Sequence, residues 1–307
     1  MMLRASFLLL AMAVLGGCGG SSATTQSTRA ISIPFEAVAG MTPINCSNLL
    51  QGLGKAGTDV ALSDFKLFIH DVRLVTDEGM ELPVQLDPIA GWQTDNIALL
   101  DFQDYSDSCN TSDASYAKAV NHTLYGQVAD NGAVISAIRF VVGVPVSHNH
   151  ADAPVAPAPL NTPSMFWSWQ GGYKHFRADV KPLGGVRRPD QFNNEMPPKP
   201  LPDASIWQFH LGDTDCTSDP VGSCTYRNRP HIELNSYREG DSVIRIDYAA
   251  LVANSTLSED HGGAPGCMSG TGDPECVAVF DALGLVLGDP GHTAPSAQTV
   301  FSLNASR

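Results

Sequence analysis

The feature that most constrains the fold of this 307-residue chain is a series of short segments in which apolar and polar residues alternate. Alternation at a period of two is typical of a β-strand with one buried face. The strongest such segment spans residues 135–144 and is rich in β-branched side chains. The other segments of this kind are residues 31–38, 60–69, 72–75, 84–86, 97–102, 206–211, 231–234, 243–248 and 299–303.

The intervening stretches hold turn-forming and strand-breaking residues. Residues 151–159 and 187–203 are rich in Pro, which excludes them from the centre of a sheet. Only residues 248–252 and 275–283 favour helices, and both are short. This pattern is typical of an antiparallel sandwich or a related barrel. We therefore expect an all-β fold, an antiparallel β-sandwich with long disulfide-stapled loops and few short helices, formed by one domain over residues 31–307.

The N-terminal residues are predicted to lie outside this domain. An apolar run at residues 7–15, too short to span a membrane, leads into Leu15–Gly16–Gly17–Cys18. This pattern indicates a lipoprotein signal peptide over residues 1–17 and lipidation of Cys18; the alternative is an ordinary cleaved signal in which Cys18 is incidental. Residues 18–30, rich in Gly, Ser and Thr, then form a flexible tether. We expect a lipid-anchored protein on the periplasmic side of the outer membrane.

Six cysteines remain when Cys18 is set aside, and an even number in an exported chain indicates disulfides. Turn-forming residues between the partners favour two local pairs, Cys216–Cys224 and Cys267–Cys276. Elimination leaves Cys46–Cys109, which would close a long loop and stabilise the fold by at most about 4 kcal/mol. The alternative is a cysteine metal site, which the absence of any CxxC pair disfavours.

The charge and the motif content exclude several classes of function. The formal net charge is −14 and no basic patch is visible, which argues against nucleic-acid binding. The sequence has no GxSxG, HExxH, P-loop or EF-hand motif, and no carboxylate pair at a defined spacing. Asp213 and Asp215, near Cys216, are interpreted as solvent-exposed.

Histidines supply the first candidate metal ligands. His148 and His150 would share one face if their segment is extended, so both imidazoles could reach one ion; otherwise they are solvent-facing loop residues. In residues 207–211, alternation places Trp207 in the core and His210 on the opposite face. His210 is then either a ligand or a strand histidine bonded to a backbone carbonyl.

Aromatic residues near these histidines supply the second group. Met165, Trp167 and Trp169 share a face if their segment is a strand, and three large side chains on one face usually pack in a core. Pro163 and Gly171, however, place the segment beside loops, where binding sites concentrate. A thioether and imidazoles together are ligands that suit copper.

An ordered set of motifs over nearly all of the mature chain resembles the MbnP-like proteins, also called metallo-mystery pair four-Cys motif proteins. The motifs are Leu99–Leu100–Asp101–Phe102, Phe140–Val141–Val142–Gly143–Val144–Pro145, Asn149–His150–Ala151–Asp152, Pro159–Leu160–Asn161, Met165–Phe166–Trp167–Ser168–Trp169–Gln170–Gly171–Gly172–Tyr173–Lys174, His210–Leu211–Gly212 with Cys216, Pro265–Gly266–Cys267–Met268 and Asp273–Pro274–Glu275–Cys276.

The resemblance implies a periplasmic or lipid-anchored β-sandwich that binds copper. It also implies a partner, a dihaem enzyme related to cytochrome c peroxidases (MbnH-like), which oxidises a tryptophan of the copper protein to kynurenine. His150 and His210 match the motif histidines. Trp167 and Trp169 are the tryptophan candidates, of which we favour Trp169, and His148 is an accessory candidate. His175 is assigned no role.

The sequence therefore predicts a copper-binding lipoprotein that is not an enzyme, with one tryptophan of the pair, His150 and His210 at the copper site. Two alternatives stay open. One is a metal-dependent oxidase or hydrolase with an open coordination position. The other is a β-sandwich binding module without metal, whose aromatic side chains stack on a glycan or a partner.

Overall fold

The computed structural model describes residues 27–109, 120–168, 170–189, 191–218, 221–291 and 296–305. The predicted signal peptide, Cys18, most of the predicted tether and Trp169 lie outside the described residues. The first strand begins at Thr28, within the predicted tether, because residues 28–30 pair with residues 127–129 of a neighbouring strand. The C-terminal end of that segment therefore belongs to the sheet.

The described residues are mainly β-strands. The strands are β1 (Thr28–Ala39), β2 (Thr42–Pro43), β3 (Leu49–Leu53), β4 (Thr58–Thr76), β5 (Glu81–Pro83), β6 (Gln85–Leu86), β7 (Gln93–Thr94), β8 (Ile97–Asp101), β9 (Thr123–Ala129), β10 (Ile135–Val142), β11 (Phe166–Ser168), β12 (Gly172–Pro182), β13 (Trp207–Gly212), β14 (Thr214–Ser218), β15 (Val221–Tyr226), β16 (His231–Asn235), β17 (Ser242–Asp247), β18 (Gly266–Cys267) and β19 (Phe301–Ala305). The helices are α1 (Tyr248–Leu251), α2 (Cys276–Ala282) and the 3-10 turns Asp107–Cys109 and Pro163–Met165.

These strands form two large sheets and one hairpin. The first sheet has six strands in the order β19-β17-β1-β9-β6, with β2 beside β1. The larger has the order β16-β10-β4-β12-β13-β18, and β3, β5, β7, β8 and β11 extend it. Strands β14 and β15 form a separate two-stranded sheet. Pairing is antiparallel except for β1 with β17 and β13 with β18. The predicted all-β, antiparallel β-sandwich with few short helices is confirmed.

Strand β4 is the longest element and organises the larger sheet. The sequence pattern predicts two strands, at residues 60–69 and 72–75, but β4 is continuous. Asp71 has φ +49° at the junction, a conformation that Asp tolerates better than most residues. The strand persists through this irregularity because it pairs along its length with β3, β5, β8, β10 and β12.

The core lies between the two sheets, and a second apolar cluster covers the outer face of the larger one. In β4, Phe65 and Leu67 point into the main core, so Lys66 and Phe68 point to the outer face. The outer cluster forms under the loop that follows β10. It consists of Phe68, Ile97, Leu99, Val144, Ala153, Leu160, Met165 and Tyr173. The outer face is therefore sheltered enough to bury polar groups as well.

Three disulfides close loops of the sandwich. They are Cys46–Cys109, Cys216–Cys224 and Cys267–Cys276, so the predicted pairs are confirmed. No helix among the described residues is long and apolar enough to cross a membrane.

Candidate metal centre

Strand β13 positions His210 on the outer face of the larger sheet. Trp207, Phe209 and Leu211 are buried in the main core, so alternation turns Gln208, His210 and Gly212 outward, as the sequence predicts for Trp207 and His210. The loop over this face leaves His210 only 4% exposed. Packing on both faces of the sheet therefore shields the His210 ring from solvent.

The imidazole of His210 has one occupied nitrogen and one unoccupied nitrogen. Its Nε2 lies 3.0 Å and 3.3 Å from the two carboxylate oxygens of Asp179 on the neighbouring strand. Its Nδ1 is buried and has no hydrogen-bond partner among the described residues. His210 is therefore bonded to a carboxylate and not to a backbone carbonyl, the alternative given above. Burial lowers the pKa of His210, although Asp179 opposes the shift, so the ring is neutral at pH 7.

A network of buried charges holds Asp179 in place. Arg177 donates to Asp179 at 2.7 Å and to Asp64 at 3.0 Å, and Lys66 lies 2.5 Å from Asp64. Burial alone would raise the pKa of Asp179, but the hydrogen bond from His210 and the charge of Arg177 lower it. Asp179 is therefore an ionised acceptor with a fixed orientation, and it fixes the orientation of the His210 ring in turn.

Trp167 packs against the strand position next to His210 on the same face. A Cβ atom at Gly212 would lie 2.5 Å from Cζ3 of Trp167, so only glycine leaves room for this ring. His210 and Gly212 are two residues apart in a strand, a separation of about 7 Å between their Cα atoms. Lys174 and Arg177 both donate to the carbonyl of Ser164, which anchors the chain just before Trp167 over the sheet. The Trp167 indole therefore lies over Gly212, two residues along β13 from His210.

Trp167 also lines a cleft of about 480 Å³ that opens to solvent. Its lining also includes Asp213, Thr214, Asp215, Cys216 and Met268. The indole is half-buried, in contrast to the fully buried Trp207. A reagent or partner entering from solvent could therefore reach the Trp167 ring.

Asp213 is the centre of a second buried network, and its predicted solvent exposure is wrong. It accepts hydrogen bonds from His175 at 3.0 Å, Arg229 at 2.8 Å and Asn149 at 3.2 Å, and it is 3% exposed. The reason is that the side chains of Asn149, His175 and Arg229 surround the Asp213 carboxylate. Asp215 is exposed as predicted.

His175, to which the sequence assigns no role, is fully buried in this network. Its Nδ1 accepts from the backbone N–H of Val144 at 3.3 Å, which leaves the proton on Nε2 to be donated to Asp213. Burial lowers the pKa of His175, and the positive charge of Arg229 lowers it further. Both ring nitrogens are used, so His175 is a structural residue.

The segment that carries His148 and His150 is a turn, so of the two alternatives the extended pair with both rings on one face does not occur. Backbone bonds from His148 to the carbonyl of Pro145 and from Ala151 to that of His148 close it. His148 bonds to the hydroxyl of Ser147 at 2.9 Å. The Nε2 atom of His150 lies 3.3 Å from Cys224 Sγ and 3.3 Å from the Asn149 amide nitrogen.

His150 and His210 belong to different networks. Within the described residues, one group of three His, Cys, Asp or Glu side chains has the spacing of a metal site, and it is His150, Cys216 and Cys224. Its two sulfurs are joined in a disulfide and are therefore not thiolate ligands in this state.

Met165 is fully buried in the outer apolar cluster, as expected for a packing residue.

Comparison with known proteins gives one family and one solved structure. The family model described as MbnP matches residues 28–269. The solved structure of MbnP from Methylosinus trichosporium is similar with a TM-score of 0.80 and 28% sequence identity, over 92% of this chain and 100% of that chain. No curated protein matches the chain.

Proposed function

Since the chain belongs to the MbnP family, we propose that it is a non-catalytic protein that binds copper at His210. The observation that carries this proposal is the buried Nδ1 atom of His210, which has no hydrogen-bond partner among the described residues. The other ring nitrogen lies on Asp179, and a carboxylate behind a histidine is the usual support of a metal ligand. A neutral imidazole suits copper, and burial keeps this one neutral.

Trp167 is the tryptophan that the contacts support as the second element of the site. The resemblance favours Trp169, which lies outside the described residues. Trp167 lies over Gly212, which is two residues along β13 from His210, and its ring borders the open cleft. Oxidation to kynurenine would replace its indole by an aromatic amine and a ketone, both of which can bind a metal. Trp169 remains the alternative site of this modification.

His150 is retained as a further ligand because it matches the motif histidine of the family. Its ring lies beside the disulfide whose Cys216 lines the cleft. We do not include Met165, whose thioether is packed in the apolar cluster, or His148, which bonds to Ser147.

We propose that the protein lies in the cell envelope, anchored through a lipid on Cys18. Its proposed partner is a dihaem cytochrome c peroxidase-like enzyme (MbnH-like) that oxidises the tryptophan. Fractionation of cells that produce Cys18→Ala tests the anchor. The variant should move from the membrane fraction to the soluble periplasm, and a variant that stays with the membrane would contradict lipidation.

Copper titration of the purified protein tests the site. Wild type should bind one copper ion, His210→Ala should lose it, and His150→Ala should bind more weakly. His261→Ala is the matched control, because His261 is exposed and pairs with Glu259. Unchanged stoichiometry and affinity in both His210→Ala and His150→Ala would exclude this site.

Native material separates the proposal from the two other functions. Protein purified from its own periplasm without copper would favour a metal-free binding module, and turnover only by the metal-loaded form would favour an enzyme. Peptide mass spectrometry over residues 164–177 tests the modification. With the partner present, we expect kynurenine at Trp167 or Trp169, and two unmodified tryptophans would contradict it.

A further inference from the structure

The hairpin of β14 and β15 carries a disulfide that solvent can reach. Cys216 and Cys224 are direct cross-strand neighbours, and Cys216 is half-buried and lines the open cleft. The other disulfides are more enclosed, since their four cysteines are at most 3% exposed. Thiol–disulfide exchange requires that a thiolate reach a sulfur atom, so Cys216–Cys224 is the bond that a reductant meets first.

His150 lies next to this disulfide. Its Nε2 is 3.3 Å from Cys224 Sγ, and the potential ligand atoms of His150, Cys216 and Cys224 are all within 4.8 Å of one another. The preceding residue, Asn149, is fully buried, donates to Asp213 and accepts from the backbone N–H of Tyr173. The bonds of Asn149 thus tie the backbone next to His150 to the sandwich.

These distances fit a metal site once the sulfur–sulfur bond is broken. Metal–sulfur and metal–nitrogen bonds of about 2.3 Å and 2.0 Å at a tetrahedral ion separate the ligand atoms by about 3.5 Å. The observed nitrogen–sulfur separation already has this size. In the oxidised protein the sulfurs are bonded to each other and offer no thiolate.

We propose that reduction of Cys216–Cys224 creates a second metal site, in which the two thiolates and His150 bind one soft divalent ion. The disulfide takes up two electrons and two protons from a dithiol reductant, which itself becomes a disulfide. The incoming ion then displaces the two thiol protons and binds two thiolates and one neutral imidazole. The position left open faces the cleft and is filled by water.

This site goes beyond copper binding at His210 and does not rest on it, and His150 is the one ligand that the two proposed sites share. It uses thiolates that exist only after reduction, whereas the proposed copper site belongs to the protein with its three disulfides intact. Copper binding by the oxidised protein and cadmium binding by the reduced protein can therefore succeed or fail separately.

Cadmium titration of the mildly reduced protein tests the proposal. After limited treatment with a dithiol under anaerobic conditions, labelling should find two free thiols, at Cys216 and Cys224. Added Cd²⁺ should then bind at one ion per chain and give a sulfur-to-metal charge-transfer absorption that the oxidised protein lacks. Absence of this absorption after two thiols have been counted would overturn the proposal.

Variants assign the ligands. Cys216→Ser combined with Cys224→Ser should abolish the charge-transfer absorption, and persistence of the signal would place the ion elsewhere. His150→Ala keeps all three disulfides before reduction, so its fold can be verified first, and it should bind Cd²⁺ at least tenfold more weakly. His261→Ala is the control and should bind as wild type does. Equal Cd²⁺ affinity in His150→Ala and wild type would overturn the role of His150.

Discussion

Nε2 of His210 lies 3.0 Å from a carboxylate oxygen of Asp179, and this contact leaves Nδ1 of the same ring as a buried atom without a hydrogen-bond partner among the described residues. Asp179 thus determines the direction in which His210 presents its remaining nitrogen. Removal of such a supporting carboxylate typically weakens metal binding by about 10- to 100-fold.

We therefore expect Asp179→Asn to reduce copper affinity by about 10- to 100-fold in a titration, with His210 still present. Asp64→Asn is the matched control, because Asp64 is a buried carboxylate of the same network that contacts Arg177 and Lys66. It should lower stability but change copper affinity little. Equal loss of affinity in the two variants would mean that Asp179 acts only through folding.

The contact between Trp167 and Gly212 gives a second prediction. Gly212→Ala would place Cβ 2.5 Å from the indole, so the ring must move. We expect a loss of about 1–3 kcal/mol in the free energy of unfolding, a shifted tryptophan fluorescence spectrum and weaker copper binding. Gly272→Ala is the control, because nothing lies within 4 Å of a Cβ there. Wild-type copper affinity in Gly212→Ala would separate Trp167 from the site.

The Asp213 network predicts a large effect on stability. Asp213→Ala would leave the buried Arg229 guanidinium without its carboxylate and remove the partner of His175. Loss of one partner of a buried ion pair costs about 3–5 kcal/mol, measurable by urea unfolding. The exposed neighbour provides the comparison, since Asp215→Ala should change stability by no more than about 0.5 kcal/mol. Similar free energies of unfolding for the two variants would show that the Asp213 carboxylate does not stabilise the fold.

The buried histidines make stability depend on pH. Burial lowers the pKa of His70 from 6.5 to about 4, while its ring bonds to the carbonyl of Gly143. Between these values the unfolded chain binds a proton that the folded chain does not, so stability present above pH 6.5 is lost as the pH falls toward 4. The loss attributable to His70 is about 3 kcal/mol.

Urea unfolding of wild type and His70→Gln at several pH values measures this contribution. The stability of wild type should fall more steeply with acid than that of the variant. The comparison of two proteins is needed because Asp101, whose pKa burial raises to about 6, acts in the opposite direction. Parallel pH profiles would contradict the assignment to His70.

The sandwich and its disulfides can be predicted from the sequence because both follow from local sequence patterns. Alternation identifies β10, β13, β16 and β17, and turn-forming residues between cysteines identify two disulfides. Strand β12 carries the same signal, with Phe176, Ala178 and Val180 alternating with charged residues. It is absent from the predicted strands because charged side chains normally indicate solvent exposure, whereas here the outer face of the sheet is covered.

The candidate site depends on contacts that no local pattern contains. Asp64, Asp179 and His210 meet through pairing of β4, β12 and β13, which are far apart in sequence. His148 and His150 differ from the extended geometry because backbone bonds close a turn that the spacing of two does not reveal. The burial of Asp213 likewise depends on Asn149, His175 and Arg229, which come from distant parts of the chain.

Anomalous X-ray scattering at the copper edge, from crystals of the oxidised protein loaded with copper, tests the central claim most directly. The claim predicts one strong peak within bonding distance of Nδ1 of His210, with Nε2 of that ring still on Asp179. A fully occupied copper peak elsewhere, with no density at Nδ1 of His210, would contradict it.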